Sequence, residues 1–227
     1  MFRILTIVLL LILSINDIIS QDAGAYYYTG PPATVVFIRK DNDGDIVWRQ
    51  HTQYDSITTT NSTSTIHYNS TFYKKNMKVM YPKMPLKALI KDGKTYINIS
   101  ASVASIIRSA TKDMFEISYE GNDLIIPHAI KPGDTIDDSK SQITMAGMTL
   151  NVDMTNIVAV KYETITTNAG EFDCIVIKMN KSEKGLTRNR VNYSYTWYAR
   201  GIGMVRHDTY SPKDKLMSIE IIESITI

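Results

Sequence analysis

Lys161-Tyr162-Glu163-Thr164-Ile165-Thr166-Thr167-Asn168-Ala169-Gly170-Glu171-Phe172-Asp173-Cys174-Ile175-Val176-Ile177-Lys178, closed by Tyr195-Thr196-Trp197-Tyr198-Ala199-Arg200-Gly201-Ile202-Gly203-Met204-Val205-Arg206, decides how this chain folds. Residues 157–166 and 172–179 are rich in Ile, Val, Thr and aromatic side chains, the types that fit a pleated, half-buried surface. Asn168-Ala169-Gly170 between them is a tight-turn sequence. From 191 to 198, Val191, Tyr193, Tyr195 and Trp197 alternate with Asn192, Ser194, Thr196 and Tyr198, which is the period of a strand. Gly201-Ile202-Gly203 makes the corner into Met204-Val205-Arg206-His207. The stretch reads as two consecutive antiparallel hairpins.

Outward from this stretch the same signals repeat. Residues 34–39 and 46–53 flank the turn Asp41-Asn42-Asp43-Gly44-Asp45. Residues 55–65 are nearly all Thr, Ser, Asn and Asp, and fit either a mobile loop or the solvated part of a long strand. Ile66-His67-Tyr68 and Thr71-Phe72-Tyr73 are strand pieces, and Tyr81-Pro82-Lys83-Met84-Pro85 breaks the pattern. Leu86 to Lys91, Asp92-Gly93 and Thr95 to Ile99 predict a hairpin. Ser100 to Asp113 is the one helix, with Ser100 or Ser102 as cap and Val103, Ile106, Ile107 and Ala110 on one face.

Strands resume at Phe115 to Tyr119 and, after a turn at 120–123, at Leu124 to Pro127. Lys131-Pro132-Gly133-Asp134 is a further turn. Met148, Leu150, Val152 and Met154 share a face, and Lys181 to Arg190 reads as a basic, solvated loop. The last strand covers Met217 to Ile227 with Ile219, Ile221, Ile225 and Ile227 on one face. The expected fold is therefore mainly β, with a single domain over 34–227 and an entering arm over 21–33.

Residues 1–20 have the form of a signal peptide. Arg3 is followed by an apolar run, Ile4 to Leu13, too short to span a bilayer, and Ser20 marks a cut before Gln21. No cysteine follows that cut, so bacterial lipoprotein attachment is not expected. The mature chain is expected in a periplasm or outside the cell, soluble and without a membrane span. Five Asn-X-Ser/Thr sequons begin at Asn61, Asn69, Asn98, Asn180 and Asn192, and read as by-products of an Asn- and Ser-rich composition.

The 227 residues carry a formal net charge of +2, without the concentrated basic face of a nucleic-acid binder. The lone cysteine, Cys174, excludes an internal disulfide and reads as an apolar filler on a strand, with no neighbouring base to activate it. If Gly44 is set at position 6 of a calcium loop, Arg39 falls at position 1 and Gln50 at position 12, so that segment is a hairpin turn. His51, His67, His128 and His207 are scattered, and Asp137-Asp138 would point to opposite faces of a strand. No catalytic residue, metal ligand or cofactor motif is found. Eleven methionines suit either core filling or a surface that accepts a greasy ligand.

Ala169, Gly170, Phe172 and Cys174, then Trp197, Tyr198, Ala199, Gly201, Gly203, Met204 and Val205, form an AGxFxC and WYAxGxGMV pattern. With Ile126-Pro127 and Pro132-Gly133-Asp134, the stretch 115–225 resembles the TapB-like family of exported bacterial proteins of unknown function. The resemblance implies a half-barrel similar to those of lipoprotein carriers: a strongly curved antiparallel sheet with helix and loops over its concave face. It implies no catalytic residues. The expected function is a non-enzymatic one, binding an apolar or amphipathic ligand or an envelope partner in the hollow of the sheet. The alternatives are a structural protein whose sheet is filled by its own side chains, and an envelope-polymer hydrolase. Trp48 and Trp197 are the natural reporters of a bound ligand.

Overall fold

The computed structural model describes residues 24–227, so the expected leader, residues 1–20, lies outside the described residues. The strands are β1 (Ala33–Asp41), β2 (Ile46–Thr60), β3 (Thr63–Lys74), β4 (Val79–Lys91), β5 (Lys94–Ile97), β6 (Ile117–Gly121), β7 (Leu124–Pro127), β8 (Thr135–Ile136), β9 (Ser139–Met145), β10 (Met148–Thr167), β11 (Gly170–Gly185), β12 (Arg188–Ala199), β13 (Gly203–Tyr210) and β14 (Leu216–Thr226). Helix α1 (Ile99–Thr111) lies between β5 and β6.

All fourteen strands belong to one antiparallel sheet, in the order β6-β9-β10-β11-β12-β13-β14-β1-β2-β3-β4-β5-β7, with β8 pairing β10 off this path. Its two ends, β6 and β7, are consecutive in sequence and separated only by Asn122 and Asp123. Three Cα–Cα steps span about 11 Å at most, so the two ends of the sheet must meet there. The sheet therefore curls around on itself, as expected for a half-barrel, but β6 and β7 do not pair and the barrel stays open. Helix α1 closes that gap by packing on β4 near one end and on β6 and β9 at the other. Arg108 donates to the Ile117 carbonyl at 2.8 Å and Ser100 to the Glu120 carbonyl at 3.1 Å, so the helix supplies partners along β6.

The face lining the interior is identified by which side chains meet. Ile126 of β7 packs with Ile157 of β10 and Ile177 of β11, strands from opposite ends of the sheet order. Across β1 to β3 the same face carries Val35, Phe37, Tyr54 and Tyr68. The residues before β1 fill the space between these walls. Tyr28 stacks on Tyr54 at 4.4 Å, and Tyr27 lies 6.2 Å from Tyr54 and 5.8 Å from Tyr68. Burial holds the hydroxyl pKa of Tyr27, Tyr54 and Tyr68 above its ordinary value.

The glycine corner expected at 201–203 anchors this arm. The Gly201 N–H donates to the Ala25 carbonyl, the Thr29 N–H donates to the Gly201 carbonyl, and Tyr28 bridges Ile202. Arg200 donates to the Gly24 and His128 carbonyls and lies 4.8 Å over the Tyr26 ring. A Cβ on Gly203, whose φ is +93°, would sit 3.2 Å from the Tyr27 Cα. The WYAxGxGMV pattern is thus a docking platform for residues 24–29.

Several sequence expectations are corrected. The helix runs Ile99–Thr111, not 100–113, and its cap is Asn98, whose side chain accepts from the Ala101 N–H, not Ser100 or Ser102. Of the two readings of residues 55–65, the long strand holds and the mobile loop does not: they belong to one long β2–β3 hairpin turning at Asn61-Ser62, both with positive φ. Residues 81–85 do not interrupt β4. Its partner on the far side, β5, covers only Ala88–Lys91, so Pro82 and Pro85 lie where a missing N–H breaks no second ladder. Strand β6 is shifted to 117–121 from the expected 115–119. Of the four residues expected to share a face on 148–154, Leu150 and Val152 are buried, whereas Met148, beside the turn, is exposed.

The expected loop at 181–190 is instead a hairpin. Strand β11 continues to Gly185, Leu186 and Thr187 turn with φ of 45° and 65°, and β12 begins at Arg188. The usual Asn-Gly signal for such a turn is missing from the sequence. The final strand also departs from the simple two-residue period. A bulge skips Glu223 between the pairs Val36–Ser224 and Phe37–Ile222. It places Ile222 and Ile225 together against the interior cluster and turns Ile219 and Ile221 to the other face.

Gly185 is sterically fixed: its φ is +112° and a Cβ would meet the Thr149 carbonyl oxygen at 1.9 Å. Gly185→Ala is expected to lower stability by about 3 kcal/mol, combining backbone strain with displacement of β10. Chemical denaturation with an unchanged midpoint would contradict this reading of the β11–β12 turn.

Candidate functional site

Three places combine polar chemistry with concavity or burial. The first is a cleft of about 570 Å³ at the end of the β10–β11 hairpin, lined by residues that include Tyr26, Tyr162, Glu163, Phe172, Cys174 and Arg200. That volume is within the range of small-molecule sites. Several of its polar groups, however, are engaged by the fold. Glu163 accepts from Lys161 Nζ at 2.9 Å and from Trp197 Nε1 at 2.6 Å, which holds its carboxyl below the usual range. Asp173 accepts from Thr164 at 2.6 Å, and Arg200 holds the arm.

Cys174 is buried, donates to the Phe172 carbonyl, and has its thiol pushed up to about 12 by desolvation, then by Asp173 and Glu163. In this position it is the protonated packing residue that the sequence suggested, not an activated nucleophile.

The second place is on the outer face of β12 and β13. Tyr193 and Tyr210 stack at 5.2 Å, Lys178 lies 5.1 Å over Tyr193, and Arg206 lies 5.0 Å over Trp197. Arg206 also forms a two-pronged bond to Asp208 at 2.8 and 2.7 Å. Trp197 is buried here and bonded, so it is a structural tryptophan.

The third place is a row of side chains crossing the interior face. Thr196 of β12 is opposite His207 of β13, His207 is opposite Glu220 of β14, Glu220 is opposite Arg39 of β1, and Arg39 is opposite Trp48 of β2. Strand alternation puts Glu220 on the same face as Ile222, and Arg39 on the same face as Phe37, both members of the interior cluster. Trp48 continues into an aromatic wall, 5.0 Å from Phe72, which is 5.9 Å from Tyr81. The Arg39 guanidinium lies 5.8 Å over Trp48 and donates to Ser218 Oγ at 2.8 Å.

The electrostatics of this row are unusual. Burial raises the Glu220 carboxyl to about 7 even though Arg39 and Lys181 both act to lower it. The His207 ring is lowered to about 4, chiefly by burial and then by Lys181 and Arg39, while one ring nitrogen is 2.8 Å from Thr196 Oγ1. The row thus sets an imidazole held below its ordinary range against a carboxyl held well above its own, beside the Arg39 guanidinium. Among the described residues nothing hydrogen-bonds to the Glu220 carboxyl. Lys181 is bonded instead to Glu183 at 2.8 Å.

Of the residues singled out in the sequence, Trp48 and His207 fall in this row. His51 and His67 are elsewhere on β2 and β3, and His128 is beyond β7. The Asp41-to-Asp45 segment is a hairpin turn in which the Asp41 carboxylate accepts the Asp43 and Asp45 N–H groups. Arg39 and Glu220 were not legible as a pair, because 181 residues separate them and only the β1–β14 pairing joins them. No local signal marks Glu220, because the isoleucine pattern of the last strand sets Ile219 and Ile221 inward and Glu220 outward, and only the bulge reverses this.

No helix among the described residues is long and apolar enough to cross a membrane. A comparison with curated proteins finds no match. Two solved structures share the fold: an exported-protein candidate with a YmcC-like fold from Bacteroides fragilis and a lipoprotein candidate from Parabacteroides distasonis. The first superposes with a TM-score of 0.74 at 22% identity and the second with a TM-score of 0.74 at 18% identity. Each alignment covers 88% of this chain and 98% of the other. The DUF3108-like family model matches residues 35–222, across β1 to β14, and the chain belongs to that family.

Proposed function

We propose that this is an exported, non-enzymatic protein that binds an amphipathic ligand on the interior face of its open sheet. The observation that carries the reading is the row itself, in which the half-buried Glu220 carboxyl lies opposite Arg39 and His207 on that face, next to an aromatic wall. An ionisable group in such a position carries a desolvation penalty that packing alone does not offset. A ligand head placed beside Arg39, Glu220 and His207 would supply the missing partner. The wall of Trp48, Phe72 and Tyr81 would receive the apolar part. Export is supported by the leader sequence and by the descriptions of the two structural relatives as exported-protein and lipoprotein candidates. The absence of cysteine after the expected cut favours the unlipidated form. Residues 34–227 act as one unit in this reading, and the narrower TapB-like assignment rests on the motif residues from Ala169 to Val205.

Trp48 gives the test. A single-chain amphiphile with a brominated tail should quench Trp48 emission saturably below its micelle-forming concentration. Trp48→Phe, which leaves Trp197, should abolish that saturable component. Quenching that persists undiminished in Trp48→Phe, or none in the native protein, would overturn the reading.

A second reading has its own support. The tyrosine-filled upper interior and the anchored arm suit a structural or interaction protein whose sheet is occupied by its own side chains. It predicts indifference of both tryptophans to added amphiphile. The hydrolase alternative needs two carboxylates converging on a cleft. In the cleft at the end of the β10–β11 hairpin the Glu163 and Asp173 carboxylates are both bonded within the fold.

A further inference from the structure

We propose a second binding site, on the outer side of the sheet at the seam beside α1, that takes a small ligand carrying one anionic oxygen group on an apolar ring. It is separate from the interior row and stands or falls without it.

The seam is built by an incomplete ladder. Strand β3 pairs along β4 from Val79 to Lys91, whereas β5 pairs with β4 only over Ala88–Lys91. The rest of that β4 edge has no strand beside it, and α1 packs there instead. A helix is about 10 Å across and a neighbouring strand sits at about 4.8 Å, so the helix leaves a groove where a strand would leave none. The groove has a volume of about 330 Å³ and is lined by His67 and Lys87 of the sheet, Asn98, Ser105 and Arg108 beside or on α1, and Tyr119 of β6. His67 lies opposite Lys87, and both alternate with Ile66 and Ala88 of the interior cluster, so both point to the outer face.

The chemistry of the groove is one-sided. None of its lining residues is acidic, whereas the cleft at the end of the β10–β11 hairpin is lined by Glu163, Glu171 and Asp173. Among the described residues neither Lys87 nor Arg108 has an ion-pair partner. Arg108 is nevertheless held in place: one of its nitrogens donates to the Ile117 carbonyl at 2.8 Å, and its other N–H groups stay available. Asn98 accepts from the Ala101 N–H through its side-chain oxygen, which leaves its amide NH₂ to donate. Ser105 adds a hydroxyl. Two cations and two neutral donors thus border one groove with no carboxylate to compete. Glu116 precedes β6 and is exposed, and Glu120 alternates to the other face of β6 and lines a different cleft. Tyr119, 43% exposed, offers its ring to the apolar part of the ligand. The volume is at the small end for ligand sites, enough for about one ring with its anionic group. Carboxylate, sulfonate and phosphate monoester groups share this chemistry.

Benzenesulfonate is the probe. Benzenesulfonamide, the same ring without the charge, and inorganic sulfate, the anion without a ring, are the controls. In an NMR titration of the native protein, benzenesulfonate should shift the Ala101 and Ser105 amide signals saturably, with both controls at least about tenfold weaker. Lys87→Gln should weaken benzenesulfonate about fivefold, because an exposed charge contributes modestly. Lys83→Gln, earlier on β4 and outside the groove, and Arg39→Gln, in the interior row, should leave its affinity unchanged. Absence of a saturable shift, equal affinity for either control, or equal losses in Lys87→Gln and Lys83→Gln would overturn the inference. A loss confined to Arg39→Gln would place the sulfonate in the interior and overturn it as well.

Discussion

A chain ending at Lys215 should not fold. The truncation removes β14, which is not a terminal decoration: it pairs with β13 on one side and with β1 on the other, and so joins the two halves of the sheet. Without it, β1 to β5 and β9 to β13 lose the strand that connects them. Both would expose a long unpaired edge, which is an aggregation hazard. Ile222, with 1% of its surface exposed, and the inward-facing Ile225 would leave the interior cluster at the same time. Each fully buried aliphatic side chain contributes about 1.5–3 kcal/mol, and whole-domain stability is only about 5–15 kcal/mol, so the loss should be complete. The expected outcome is insoluble protein, or soluble protein without a cooperative thermal transition. A soluble truncated chain with a sharp transition would show that β14 is not the keystone of the sheet.

The second large effect concerns Glu220 and has a defined pH window. In the unfolded chain this carboxyl titrates near 4.5, and in the folded protein at about 7. A group with its folded pKa raised contributes stability that is fully present below 4.5 and is lost as pH rises through 7. At pH 8 the native protein therefore carries the cost of an ionised, half-buried carboxylate. Glu220→Gln resembles the protonated form and should be more stable than native by about 2–3 kcal/mol at pH 8, and nearly equal to it at pH 4.5. His207 acts in the opposite direction. Its folded pKa is lowered to about 4, so its contribution is present above about 6.5 and is lost as pH falls toward 4. Urea denaturation of native and Glu220→Gln protein at the two pH values checks the difference. A variant less stable than native at pH 8 would mean that Glu220 is ionised and well paired, which would remove the reason for seeking a ligand beside it.

The sequence made the fold class legible because strand signals are local. Alternation at 191–198, the turn at 168–170 and the glycines at 201 and 203 each specify backbone geometry within a few residues, and the observed hairpins follow them. The errors arose where non-local structure overrides local chemistry. The basic stretch 181–190 looked solvated, yet its partners β10 and β12 extend to meet it and it stays in the sheet. Pro82 and Pro85 looked like breakers because the sequence does not show that one edge of β4 is free there. The bulge at Glu223 cannot be read from an isoleucine pattern, and it decides which isoleucines face inward.

The site was less legible for the same reason. Cys174 was read as a packing residue, and its burial and raised thiol agree. Trp48, the reporter suggested by the sequence, stands at the meeting point of Arg39 and the aromatic wall. The row itself runs perpendicular to the strands. Thr196, His207, Glu220, Arg39 and Trp48 come from five strands and meet only through register, which no spacing along the chain records.

The most direct measurement is native mass spectrometry on protein purified, without detergent, from the cells that produce it. An occupied interior predicts a second species carrying an amphiphile, released on denaturation and depleted in Arg39→Gln. A single species at the mass of the chain alone, in both native and Arg39→Gln protein, would contradict the claim that the interior face of this sheet is a ligand site.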